Sequence, residues 1–240
     1  MRDDVSSGSV KAARIALAEI AEILETYPGA VVAGGFVPYL LIPQHVEPHE
    51  GTVDIDLVLA FDQPGGDDVF TLHEILERRL FQQDPGKPFR YTKGIDLDGE
   101  IYPVMVELLG GGNPPPGGLR RIGTEDVHLS IISGMEVALE GPLVVSIPDT
   151  PNRTISVASI PSFLSMKAFA LERREERKKP KDAYDIVYCL RNYDGGVGAI
   201  AQVFREKLPH AIIASAVESL GVSFGSTDAV GPVAYAPRGQ

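Results

Sequence analysis

The chain has 240 residues and is 44% hydrophobic, enough to bury a substantial core and long enough for one large domain or a sheet core with a helical appendage. Twenty-two Lys and Arg stand against 33 Asp and Glu, a net charge of −11, which argues against broad non-specific binding of nucleic acid while leaving room for a local basic groove. One cysteine, Cys189, rules out a disulfide framework and a cysteine-rich metal site. No basic start runs into an apolar stretch and no eighteen apolar residues run together, so a soluble, cytoplasmic protein without a membrane partner is expected.

In chain order, residues 10–27 place Ala13, Leu17, Ile20, Ile23 and Leu24 at helical spacing, with Pro28-Gly29 as the stop. The apolar run Ala30-Val31-Val32-Ala33 ends in Gly34-Gly35, and residues 36–41 open a helix that tolerates Pro38 in its first turn. A strand, a tight glycine turn and a helix start leave backbone N–H groups exposed to an approaching phosphate. Residues 43–51 hold His45 and His49 between Pro43 and Pro48; the prolines make this a loop bordering the site rather than a helix that shares a metal. In residues 53–61, Val53, Ile55, Leu57 and Leu59 fall on one face of a strand and Asp54 and Asp56 on the other. Two residues along a strand span roughly 6.5–7 Å, so both carboxylates can reach hard cations between them. Magnesium takes such carboxylates together with phosphates and waters. The plain alternative is a strand whose outer face the two acids solvate.

Residues 67–82 read as a helix capped by Asp67 or Asp68, with Leu72, Ile75, Leu76 and Leu80 in its apolar stripe and Asp84-Pro85-Gly86 behind it. Residues 89–97 and 100–109 form two strands joined by a two-residue turn at Asp98-Gly99. Glu107 lies within the apolar run Val104-Met105-Val106-Glu107-Leu108-Leu109 and there needs a partner or a metal, unless it faces water at a strand edge. Residues 110–118, rich in Gly and Pro, are expected to form a mobile loop that closes over substrate. Residues 127–132, 143–147 and 154–157 are further strands, with His128 read as structural.

Ser159 and Pro161 start a helix that continues to about residue 178 and carries Lys167 among Phe163, Leu164, Met166 and Ala170. Such a lysine snorkels outward or reaches into a site, where it serves phosphates as a point charge. Arg173 to Lys179 mixes charges as a solvated helix end does, or forms the local basic patch. Pro180 begins the next helix, in which Asp182 and Asp185 precede the buried thiol Cys189; Asp182 there is also ordinary first-turn chemistry. Two more helices follow over residues 197–208 and 209–220, before a Gly/Ser/Pro-rich flexible tail.

Gly34-Gly35 followed by Thr52-Val53-Asp54-Ile55-Asp56-Leu57 resembles the hallmark of the nucleotidyltransferase superfamily. The lysine helix followed by Lys181-Asp182-Ala183-Tyr184-Asp185-Ile186 is similar to the C-terminal motifs of the AbiEii/AbiGii toxin-type nucleotidyltransferases. The resemblance implies an α+β fold: a nucleotidyltransferase-like mixed β-sheet core flanked by helices over residues 1–158, a C-terminal helical region over 159–222 and a tail over 223–240. It implies Mg²⁺ on Asp54, Asp56 and, as third carboxylate, Glu107. Gly34, Gly35 and Lys167 would hold the triphosphate. Asp182 would act as the acid or base near the acceptor, with Asp185 the second candidate. The activity so implied moves an NMP from a nucleoside triphosphate to an acceptor hydroxyl of RNA or tRNA, as a toxin or defence component with a cognate antitoxin. Two other readings share these residues: a catalytically silent binding partner in a toxin–antitoxin pair, and a transferase that modifies a protein or small molecule.

Overall fold

The computed structural model describes residues 6–26, 29–43, 48–60, 66–115, 118–122, 127–208 and 210–236. His45, one of the two histidines of the expected loop, lies outside them. The chain divides into two units, residues 1–40 with 50–158 and residues 41–49 with 159–240.

The first unit contains α1 (Ser7–Thr26), β1 (Ala30–Ala33), α2 (Phe36–Leu41, which ends at the unit boundary), β2 (Asp54–Leu59), α3 (Gly66–Arg78), β3 (Gln82–Asp84), β4 (Lys87–Leu97), β5 (Glu100–Gly110), β6 (Leu119–Ile122), β7 (Val127–Ile131), a 3-10 turn (Met135–Leu139), β8 (Leu143–Ile147) and β9 (Thr150–Val157). The strands make one mixed sheet in the order β3-β4-β5-β2-β1-β9-β8, with β7 added to the end of β5 and β6 paired to β7. Pairing is antiparallel between β1 and β2 and parallel between β2 and β5 and between β1 and β9.

Helix α1 covers one face of this sheet. Lys93 of β4 and Arg153 of β9 reach Glu19 and Glu22 of α1. Strand alternation therefore puts Tyr91, Val104, Val106, Ile55, Leu57 and Val32 on the α1 side. All six are fully buried, as are Leu17 and Ile20 of the helix; each large aliphatic side chain contributes about 2 kcal/mol on leaving water. The opposite face carries Arg90, Glu107, Asp56 and Asp54 together with the buried Val31, Val58 and Leu109.

The turn expected at Asp98-Gly99 is present, with φ of 57° and 86° at its two residues, as a tight hairpin requires. Helix α3 is shorter than expected. Its run stops at Leu80, which takes φ 66°, while Phe81 N donates to Leu76 O and Leu80 N to Glu77 O. That is a Schellman cap with leucine where glycine is usual. Leu80 is thereby 71% exposed instead of belonging to the apolar stripe, and the residues after it form β3. The loop after β5 starts tied down: Glu136 Oε2 accepts from Gly112 N at 2.8 Å and Gly134 N at 2.9 Å.

The second unit contains α4 (Ile160–Arg173), a 3-10 turn (Glu176–Lys178), α5 (Lys179–Asn192), α6 (Gly196–Lys207), α7 (Ala211–Phe224) and α8 (Val230–Tyr235). Helix α4 packs against α5 and α7, burying Phe163, Leu164, Ala168, Ile186 and Ile213. The stretch expected to be a flexible tail carries α8. It packs on α5, where Arg191 Nη1 donates to the Tyr235 hydroxyl at 3.1 Å. Among the described residues no helix is long and apolar enough to cross a membrane.

Candidate active site

In the first unit Asp56 and Glu107 belong to a row across four strands. Register sets Arg90 of β4 opposite Glu107 of β5, Glu107 beside Asp56 of β2, and Asp56 opposite Ala33 of β1. Neighbouring strands lie about 4.8 Å apart, so these four side chains share one face, away from α1. Asp54 shares it too, beside Met105.

Gly34 follows Ala33 with φ +62°, and a Cβ there would stand 1.8 Å from Asp56 Oδ2. At Gly35 a Cβ would stand 2.7 Å from Thr52 Cβ. The sequence expectation is that these glycines admit a ligand; in the structure their close neighbours are the chain's own Asp56 and Thr52. The missing side chains let the Asp56 carboxylate sit against the turn, so carboxylate and turn amides occupy one place. Helix α2 has only six residues, and its dipole adds little to that.

The third carboxylate has a protein partner. Arg90 Nε donates to Glu107 Oε1 at 2.8 Å, and Arg90 Nη2 donates to the same oxygen. Among the described residues no group of three or more His, Cys, Asp or Glu side chains is arranged to hold a metal. Asp54 and Asp56 supply two hard carboxylate donors on one face, which suits Mg²⁺ held jointly with phosphates and water.

In the second unit Lys167 joins both late aspartates. Helix α4 is capped by Ser159, whose Oγ accepts from Ser162 N at 3.4 Å. It carries Lys167 to within 2.8 Å of Asp182 Oδ1 and 2.7 Å of Asp185 Oδ2. Spacing of three places the two aspartates on one face of α5. Asp182 also receives Arg174 Nη1 at 3.1 Å, and Asp185 receives Lys181 Nζ at 2.7 Å. His49 Nε2 lies 2.9 Å from Asp185 Oδ1, its ring edge-on to Tyr188 at 4.8 Å.

Burial and charge compete in this cluster. Burial alone would raise the Asp185 carboxyl, but Lys167 and Lys181 hold it well below the usual carboxylate range. Burial would lower Lys167, and Asp185 and Asp182 outweigh it to hold the ammonium above the usual lysine value. For His49 burial prevails over the bond to Asp185, and its imidazole is pushed below the ordinary histidine value. The cations Lys167, Lys181 and Arg174 thus surround two aspartates and a histidine that favours its neutral form.

Arg90 has no role in the sequence reading, which places His49 only in a loop bordering the site, Arg174 in a mixed-charge helix end or basic patch, and Lys181 in the resembling motif without a role of its own. Arg90 is within its reach: counting back seven residues on each side from the Leu97–Glu100 pair next to the turn gives Arg90 opposite Glu107. His49 carries no such signal, since its partner lies 136 residues away.

The first unit thus sets an Asp-x-Asp strand beside a glycine turn, and the second holds a lysine between two aspartates. Residues 51–221 match the family model of the nucleotidyl transferase AbiEii toxin of type IV toxin–antitoxin systems, and the chain belongs to that family. The match spans Asp54, Asp56, Glu107, Lys167 and Asp182; Gly34 and Gly35 precede it. Among solved structures, an antigenic nucleotidyltransferase-like protein from Paracoccidioides brasiliensis aligns over 92% of both chains with 16% identity and a TM-score of 0.46. No curated protein matches the chain.

Proposed function

We propose that the protein is a Mg²⁺-dependent toxin of a toxin–antitoxin pair that moves an NMP from a nucleoside triphosphate to an acceptor hydroxyl of RNA or tRNA. The observation that carries this is the seating of Asp56 against the Gly34 turn, with Asp54 on the same face of β2. Carboxylates for a cation and bare backbone for phosphate meet there.

Asp54 and Asp56 hold the cation; bound with the triphosphate, Mg²⁺ supplies charge neutralisation at the phosphate oxygens. Gly34 and Gly35 offer backbone N–H groups to the phosphates. The acceptor oxygen bonds to the α-phosphorus, the bond from that phosphorus to the bridging oxygen breaks, and pyrophosphate leaves with its electron pair. The acceptor gives up its proton; the acid or base role of Asp182 and the triphosphate role of Lys167 are those that the family resemblance implies. Both roles require the Lys167–Asp182 pair to open, because each partner is held by the other.

The experiment incubates the protein with Mg²⁺, total cellular RNA and each α-labelled nucleoside triphosphate in turn, beside an Asp54→Ala/Asp56→Ala variant. Label on RNA with the wild type alone supports the proposal and names the nucleotide. Label on protein or a small molecule replaces the acceptor, and nucleotide binding without any transfer replaces the enzyme by a binding partner.

A further inference from the structure

Three carboxylates on adjacent positions of one sheet face would repel one another unless something neutralises them. A divalent cation is one solution, and a protein cation is another. In this chain a protein cation is built in.

We propose that Glu107 is the counter-ion of Arg90 and not a ligand of the divalent cation, so that the site takes a single cation on Asp54 and Asp56. The inference deepens the metal-dependent reading above and rests on it. Arg90 stands opposite Glu107 in the β4–β5 register, one strand further from β1 than Glu107 and two further than Asp56. Two of its guanidinium nitrogens, Nε and Nη2, donate to Glu107 Oε1. The two side chains are 23% and 19% exposed, shielded enough for the attraction to exceed that of a surface pair. A cation that recruited Glu107 would have to share the carboxylate with this charge-assisted pair, both of whose donors sit on Oε1. It has no need to, because Mg²⁺ is commonly held by one or two carboxylates with substrate phosphates and waters.

Arg90 in this account is a positioning residue. It removes the negative charge next to Asp56 that would otherwise draw a second ion, and keeps the carboxylates that face the substrate down to two. Two-metal sites of phosphoryl transfer need carboxylates enough to clamp both ions. With Glu107 occupied, Asp54 and Asp56 are the two carboxylates this strand face offers a cation among the described residues.

The test titrates Mn²⁺ into the full chain, with and without a non-hydrolysable nucleoside triphosphate, and reads free Mn²⁺ by electron paramagnetic resonance. Wild type is expected to bind one Mn²⁺ per chain. Glu107→Gln should keep that ion with affinity within about threefold, whereas Asp56→Asn should weaken it by about 100-fold or more. Arg90→Met frees Glu107 and should bring a second ion or roughly tenfold tighter binding. Because Glu107→Gln leaves Arg90 without its counter-ion, the double variant Arg90→Met/Glu107→Gln guards against a folding defect, and it should return to wild-type stoichiometry. Loss of Mn²⁺ from Glu107→Gln and the double variant alike, or two ions in wild type, or no gain in Arg90→Met, would overturn the inference while leaving the metal reading in place. A wild type that binds no Mn²⁺ in either condition would overturn both.

Discussion

Asp56 Oδ2 occupies the space a side chain on Gly34 would need, 1.8 Å from the position of its Cβ. The contact makes the turn after β1 and the acidic strand β2 a single feature, and it explains why this position is glycine on two counts. The residue adopts φ +62°, and any side chain would push the carboxylate away.

Gly34→Ala is therefore expected to cost more than backbone strain. Gly99 is its control, with φ +86° and nothing within 4 Å of where a Cβ would stand. Gly99→Ala should lose about 1 kcal/mol in urea unfolding. Gly34→Ala should lose clearly more and should also weaken Mn²⁺ binding, which Gly99→Ala leaves alone. Equal losses for the two, with Mn²⁺ binding intact, would refute the steric account.

Lys167 is the hub of the second unit. Lys167→Met strips Asp182 and Asp185, both fully buried, of a shared cation, and removing one partner of a buried pair costs about 3–5 kcal/mol. The Lys179–Glu176 pair, with Glu176 85% exposed, is the comparison: Glu176→Gln should change stability by less than about 0.5 kcal/mol. Chemical denaturation of both variants checks the contrast.

The pH dependence follows from the same cluster, and each sign is set by the direction of the shift. Lys167 is raised, so its contribution is complete below the ordinary lysine value and is lost only as pH rises through the folded value. Asp185 is lowered, so its contribution is present above the ordinary carboxylate range and is lost as pH falls through the folded value. His49 is also lowered: its neutral form is favoured by folding, and stability falls as pH drops below about 6.5, by up to about 1.4 kcal/mol per pH unit until the folded value is reached. Between pH 7.5 and 5, wild type should therefore lose more stability than His49→Gln, which cannot titrate. Parallel losses would show that His49 is not buried in its neutral form.

What the sequence revealed and what it hid divide along the range of the interactions. The β4–β5 hairpin was legible because Asp98-Gly99 carries its own turn chemistry, and with the turn comes the register that sets Arg90 opposite Glu107. The Asp-x-Asp strand was legible from alternation. Strand β3 was not, because Gln82-Gln83-Asp84 holds no β-branched or aromatic residue and owes its state to pairing with β4. Leu80 hid the end of α3, since a leucine with positive φ gives no signal in advance. Helix α8 lies in a stretch whose composition reads as loop, and it is supported by α5 and by Phe224, whose ring lies 2.5 Å from a Cβ built on Gly231. Lys167 and Asp182 stand out in the sequence as separate motif residues; their ion pair, and the His49 that reaches Asp185, needed tertiary structure.

The central claim is transfer at the α-phosphorus by the Asp54 and Asp56 face, and it is tested most directly by parallel reactions with α-labelled and γ-labelled nucleoside triphosphate. The account predicts that α-label is retained on the acceptor and γ-label appears in free pyrophosphate, with both signals lost in Asp54→Asn and Asp56→Asn. Transfer of γ-label to the acceptor, or α-label transfer that survives both substitutions, would contradict it.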